Sequence, residues 1–217
     1  MSAANRLQDE WLLSYAAGNL THGRSLMVAS HLAYREDMKE IVSNAESIGG
    51  VLLDSIDTAA VSDSVLDQIL NRLEEEAEPL RQTVGAPRRS DVLPQPLLEF
   101  TGQDIDALNW RFMGPGMSNA RLWNGPNDER LWLLRARGGV KVPEHGHNGD
   151  EWTLILKGSY QTSAGRFGVG DMDVAGEETV HQPIIDTGEE CICLVMTEGP
   201  IRLKSLMARM VQPIIGL

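Results

Sequence analysis

The chain has 217 residues, 42% of them hydrophobic and 23% charged, with a formal net charge of -12. That length supports one large core or two small ones, and nothing repetitive or low in complexity points to disorder. The acidity argues against direct nucleic-acid binding, and no apolar run approaches the roughly 20 residues of a membrane span, so a cytoplasmic protein with no membrane association is expected.

From Leu7 to about Leu80 the pattern is helical. Leu7, Trp11, Leu12 and Tyr15 recur at three- and four-residue spacings, and Gly18 then offers the left-handed residue that ends a helix. Thr21 can cap a second helix carrying Leu26, Met27, Val28, His31 and Leu32. A third is expected over Glu36 to Leu53, with Ile41, Ile48, Val51 and Leu52 as its apolar face. Ser62 or Asp63 can cap a fourth, whose Val65, Leu66, Ile69, Leu70 and Leu73 form an amphipathic stripe. That stripe either closes a small bundle over residues 1–83 or packs on another protein.

Residues 1–80 hold 14 acidic side chains against 5 basic ones, whereas residues 81–217 hold 17 against 14. The acidic surface thus belongs to the first third and favours a basic macromolecular partner. Residues 84–97, "VGAPRRSDVLPQPL", contain three prolines and a glycine and read as a linker.

Over residues 98–217 the period changes to two. "RLWLLRA", "EWTLILKGSY", "GRFGVGDMDV" and "ECICLVMTEG" are short β-type runs broken by Gly, Asn, Asp and Pro, which predicts an all-β sandwich or barrel. Cys191 and Cys193 alternate on one such strand, on the same side but too far apart for a relaxed disulfide. They read as small buried hydrophobes, and Met113, Met117, Met196, Met207 and Met210 as core filling.

The stretch "GGVKVPEHGHNGDEWTLILKG" puts two of the chain's 5 histidines two residues apart. On an extended segment His145 and His147 leave the same face, where two nitrogens can meet one ion. Glu151, after a short turn, can add an oxygen, and His181 is the natural fourth ligand once the glycines of "GVGDMDVAGEETV" return the chain. Three imidazoles and one carboxylate suit a single divalent ion, zinc, iron, manganese, nickel or copper, and the ligand set alone does not choose among them. No catalytic residue stands out.

These motifs resemble those of the cupins. The first cupin motif is met by Gly139, His145, His147, Glu151 and Gly158, and the second, more loosely, by Gly170, Gly176 and His181, with Val174 where a proline is usual. The resemblance implies a double-stranded β-helix, or jelly roll, with the metal inside. Together with "LLSYAAGNL" and "LMVASHLAYREDMKEIVSNAESIGGVLLD", the chain resembles the ChrR family of anti-sigma factors over nearly its full length. That family pairs a helical domain gripping an extracytoplasmic-function sigma factor with a cupin needed for release under oxidative stress.

One departure is clear. The family's helical domain holds zinc through an early histidine, a second histidine and a CxxC pair, which here fall near Asn5 or Arg6, on His31, and on Arg35 and Met38. Arginine and methionine cannot replace thiolates on zinc, so no second zinc is expected in this half. His31 then reads as a capped or solvated helix histidine, and the helices are held together by packing alone, with Trp11, Tyr15 and Tyr34 filling the former site, or by an Arg35 ion pair in place of the metal link.

The leading expectation is a two-domain transcription regulator that sequesters such a sigma factor and responds to oxidant at the cupin metal. The alternative is a metal-dependent, dioxygenase-like cupin enzyme whose helices serve oligomerisation; a homo-oligomer through the cupin is open in either case.

Overall fold

The computed structural model describes residues 5–62, 64–75, 89–199 and 202–203. Among the described residues five α-helices precede the strands: α1 (Asp9–Ala16), α2 (His22–Leu32), α3 (Glu36–Asp54), α4 (Ser64–Glu75) and α5 (Gln95–Thr101). Twelve strands follow, beginning β1 (Arg111–Gly114), β2 (Met117–Asn124), β3 (Glu129–Ala136), β4 (His145–Gly146), β5 (Glu151–Lys157) and β6 (Ser159–Thr162). The remainder are β7 (Gly165–Gly168), β8 (Met172–Ala175), β9 (Val180–His181), β10 (Ile184–Ile185), β11 (Cys191–Glu198) and β12 (Arg202–Leu203).

The helix boundaries follow local chemistry. Asp9 and Glu10 sit in the first turn of α1, where they complement the helix dipole. Gly18, at φ +69°, ends the turn after it. The Thr21 hydroxyl accepts from the Arg24 N–H at the start of α2. Pro94 precedes α5, and Gly102 closes it at φ +65°. The last residues of the stretch read as linker, 95–97, are therefore helical, and Leu93, Leu97 and Leu98 are buried.

The strands form a sandwich. A six-stranded sheet in the order β1-β2-β3-β11-β5-β8 meets two three-stranded sheets, β10-β6-β7 and β12-β4-β9. β11 shows why its sequence is apolar throughout. Cys191, Cys193 and Val195 point into the sandwich beside Trp132, Ile155 and Tyr160, while Ile192, Leu194 and Met196 face the helices beside Leu26, Met27 and Trp152. A strand covered on both sides loses the alternation of a half-exposed one. Each fully buried side chain of this kind contributes roughly 1.5–3 kcal/mol.

The helices thus share one continuous core with the outer face of the large sheet, as Leu12, Met27, Met38, Leu133, Leu154 and Leu194 belong to a single buried cluster. Two expectations change. In α3 the buried residues are Met38 and Val42, whereas Ile48, Val51 and Leu52 are 63%, 71% and 61% exposed, because the second half of the helix runs beyond the body. The stripe of α4 is likewise bare, with Leu66, Ile69 and Leu70 exposed, so it does not close a bundle. Its Leu73 side chain, Asp63 and residues 84–88 of the 84–97 stretch lie outside the described residues, as do Met207 and Met210.

Candidate metal centre

β4 and β9 pair antiparallel with His145 directly opposite His181. His147 follows two residues after His145, and the turn through Asn148, Gly149 and Asp150 delivers Glu151 as the first residue of β5. Gly149, at φ +149°, leaves no room for a side chain, since a Cβ there would meet Glu198 at 2.8 Å. The four expected residues come together: one ligand atom from each lies within 4.8 Å of the others, and all four residues are buried. His145 Nε2 is 3.2 Å from His181 Nε2. Glu151 lies 3.9 Å from His145, 3.6 Å from His147 and 3.6 Å from His181.

The donor set fits a divalent ion. The His145 Nδ1–H donates to the Pro143 carbonyl at 2.8 Å, which turns Nε2 toward the centre. Both nitrogens of His147 are buried without a hydrogen-bond partner, and burial holds its pKa down to about 4, so it presents a neutral imidazole. Burial alone would push the Glu151 carboxyl up, but the neighbouring His145 and His181 rings hold it well below the usual range. A divalent cation needs neutral imidazoles beside an ionised carboxylate, and His147 and Glu151 meet that need. At His145 burial is outweighed by the Glu151 carboxylate, which raises the pKa, so a cation binding there displaces a proton. Metal identity is not decided by these donors.

Around the centre are groups the sequence reading passed over. The Tyr160 hydroxyl donates to Asp173 at 2.9 Å, and the same Asp173 oxygen lies 3.9 Å from His181 Nδ1. Burial pushes the Asp173 carboxyl up despite that bond. Asp173 was reachable from the sequence, because the register Glu151 with Ala175 and Thr153 with Asp173 puts it on the inner face by simple alternation. The cysteines are reduced and buried, with sulfurs 3.5 Å apart. Contact with the Cys191 thiol, and then burial, raise the Cys193 pKa well above its ordinary value, which fits core filling. Met113 and Met196 are buried too.

In the helical part His31 is fully buried, not solvated, with both ring nitrogens unpartnered. Burial, and then the charge of Arg35, hold its pKa down to about 4. Arg35, 6% exposed, pairs through Nε and Nη2 with the two oxygens of Asp37, both at 3.0 Å. A guanidinium beside the imidazole repels a cation, so His31, Arg35 and Met38 do not fit a zinc ion. Near His31 the packing is close: Tyr34 lies against Gly170, where a Cβ would come within 2.9 Å of the Tyr34 Cβ.

The two parts of the molecule meet close to the centre. Trp152 is fully buried and meets the Trp11 ring edge-on at 4.7 Å. The Arg24 guanidinium lies 4.7 Å and 5.2 Å from the Trp11 and Trp152 ring centres, and pairs with Glu129 and Glu198. Glu198 also accepts from the Asp150 backbone N–H, in the turn that carries Glu151.

Residues 99–201 match the family model described as ChrR Cupin-like domain. The chain is 33% identical over 213 residues to the anti-sigma-E factor ChrR of Cereibacter sphaeroides, covering 98% of both chains. The chain belongs to the ChrR family of anti-sigma factors. The crystal structure of Rhodobacter sphaeroides SigE in complex with the anti-sigma ChrR is similar to this ChrR-family fold. The TM-score is 0.76 at 32% identity, covering 89% of this chain and 98% of that one. Helices followed by a cupin-like sandwich are thus the family's architecture, as the sequence predicts. Among the described residues of this ChrR-family chain, no helix is long and apolar enough to cross a membrane.

Proposed function

We propose that this protein sequesters an extracytoplasmic-function sigma factor, and that His145, His147, Glu151 and His181 hold one divalent ion, zinc first, through which an oxidant triggers release. The observation that carries the sequestration reading is the bare apolar face on α3 and α4. Ile48, Val51, Leu52 and Leu53 are between 61% and 71% exposed, and Leu66, Ile69 and Leu70 stand at i, i+3 and i+4 on α4. Contiguous exposed apolar surface on helices marks a protein-binding face, and that spacing is how a helix anchors in a partner's groove. Asp54, Asp57 and Asp67 around it favour a partner with basic surface. The relative of known structure is bound to SigE.

The centre itself suits sensing better than turnover. The cavity beside His145 and Glu151 is about 40 Å³. Sites for organic ligands are roughly 300–1,000 Å³, so this one is better matched to species the size of water or dioxygen. A small diffusible oxidant fits that space. A signal at Glu151 then has a short route to the helices through Trp152 and through Asp150, Glu198 and Arg24. It acts only by favouring one arrangement over another.

The test is co-expression of the full chain with the extracytoplasmic-function sigma factors of its organism, followed by gel filtration. A stoichiometric complex is expected; a folded protein that retains none of them overturns the sequestration reading. For the sensing half, the complex carrying His145→Ala and His147→Ala is exposed to singlet oxygen. It should fail to dissociate, and normal dissociation would sink that half alone.

A further inference from the structure

Each histidine of the centre can turn one ring nitrogen toward an ion, and what the other nitrogen meets decides which one. His181 Nε2 lies 3.2 Å from His145 Nε2 and 3.6 Å from Glu151, so Nε2 faces the cluster and Nδ1 is the far nitrogen. An imidazole that gives its Nε2 lone pair to a cation carries its proton on Nδ1. For His145 that proton goes to the Pro143 carbonyl. For His181 the carboxylate beside Nδ1 is Asp173, whose Oδ2 lies 3.9 Å away. That separation exceeds a hydrogen bond but allows attraction between the carboxylate and the N–H, which burial strengthens.

Asp173 reaches His181 from a different sheet. It lies on β8 opposite Thr153, two residues from the pair Glu151 and Ala175, whereas His181 lies on β9 opposite His145. Asp173 is 8% exposed, and it is not one of the four residues whose ligand atoms come together. The oxygen that faces His181 also accepts from the Tyr160 hydroxyl at 2.9 Å. Tyr160 is itself buried on β6, with its ring against Phe167. The line from Tyr160 through Asp173 to His181 thus takes one strand from each of the three sheets. A carboxylate buried at this depth costs stability unless it serves a partner, and an apolar pair would join β6 to β8 at lower cost.

We propose that Asp173, held by Tyr160, is a positioning residue of the centre: it keeps the His181 proton on Nδ1 and so aims Nε2 at the ion. The role rests on the reading of His145, His147, Glu151 and His181 as an ion site. A carboxylate behind a ligand imidazole also makes that imidazole a stronger donor, so its loss is felt as metal affinity. His145 is oriented by a backbone carbonyl and His181 by a side chain, so substitution can test the second.

The test follows Co²⁺ binding to the full-length protein by visible absorption, in competition with chelators of graded strength. The parent should bind one Co²⁺ per chain, and Asp173→Ala should weaken binding about 10- to 100-fold. A double-mutant cycle separates positioning from folding. In a His181→Ala background Asp173→Ala should change affinity by no more than about twofold, because the imidazole it acts through is gone. In a His147→Ala background it should still cost about tenfold or more. If circular dichroism shows Asp173→Ala unfolded, Tyr160→Phe, which keeps the ring but releases the carboxylate, goes through the same cycle with an expected loss of about threefold or more. Affinity unchanged by the substitution, or equal losses in the two backgrounds, overturns the positioning role and leaves the ion site standing. A parent that binds no Co²⁺ overturns the ion site and the positioning role with it.

Discussion

Glu151 and Trp152 are consecutive residues of β5 that face opposite ways, the carboxylate into the histidine cluster and the indole against Trp11 of α1. A strand cannot re-seat one without moving the other. Removing the indole empties a fully buried site, so Trp152→Ala should cost about 3–5 kcal/mol in urea unfolding. Trp152→Phe should recover most of that, since it keeps a ring for Trp11 to pack on. If the alanine variant unfolds like the parent, the helices do not depend on the sheet for their core.

Arg24 ties the same junction by charge. Its guanidinium serves Glu129, which is buried, and Glu198, which holds the Asp150 turn. Arg24→Met leaves Glu129 buried without a counter-charge and should cost about 3 kcal/mol. The double variant Arg24→Met with Glu129→Gln should be less destabilised than the two single changes together, by about 1 kcal/mol or more. Strict additivity in the unfolding free energies would remove Arg24 from the junction.

Much of this was legible in the sequence because local rules and tertiary context agree. Thr21 caps α2, Gly18 ends the turn after α1, and the HxH run with Glu151 and His181 assembles as strand geometry requires. Elsewhere context decides. Periodicity marks Ile48, Val51 and Leu52 as one apolar face but cannot say whether the chain itself or another protein covers it. His31 looks like an ordinary helix histidine until the sheet edge at Gly170 and Tyr34 closes over it.

The bare face predicts a separation of stability from binding. Leu52→Asp and Leu66→Asp change residues that are 61% and 64% exposed. Unfolding free energies should therefore shift by no more than about 0.5 kcal/mol. Sigma-factor affinity should fall about 100-fold or more, as for removal of an interface anchor worth about 3 kcal/mol. Unchanged affinity measured by calorimetry would move the docking site elsewhere.

Metal content offers a separate check. Elemental analysis of the purified protein should give one divalent ion per chain. His181→Ala, which removes the imidazole directly opposite His145 in the candidate centre, should lower retention after dialysis sharply. His31→Leu should leave the stoichiometry unchanged, since Arg35 occupies its surroundings. A second ion lost on His31→Leu would show that the helical half has kept a site despite the arginine.

His31 also sets a pH dependence whose sign can be worked out. Its ordinary value is 6.5 and its folded value about 4, lowered first by burial and then by Arg35. Between those values the unfolded chain binds a proton that the folded chain refuses, so stability is complete above about pH 6.5 and declines as pH falls toward 4. The full loss is on the order of 3 kcal/mol. His31→Leu removes the titrating group and the two unpartnered nitrogens together, so its stability should fall less steeply over that range. Comparing urea unfolding of parent and variant at pH 7 and pH 5 isolates the effect from the carboxylates common to both. Parallel losses in the two proteins would mean that the folded state accommodates a charged His31.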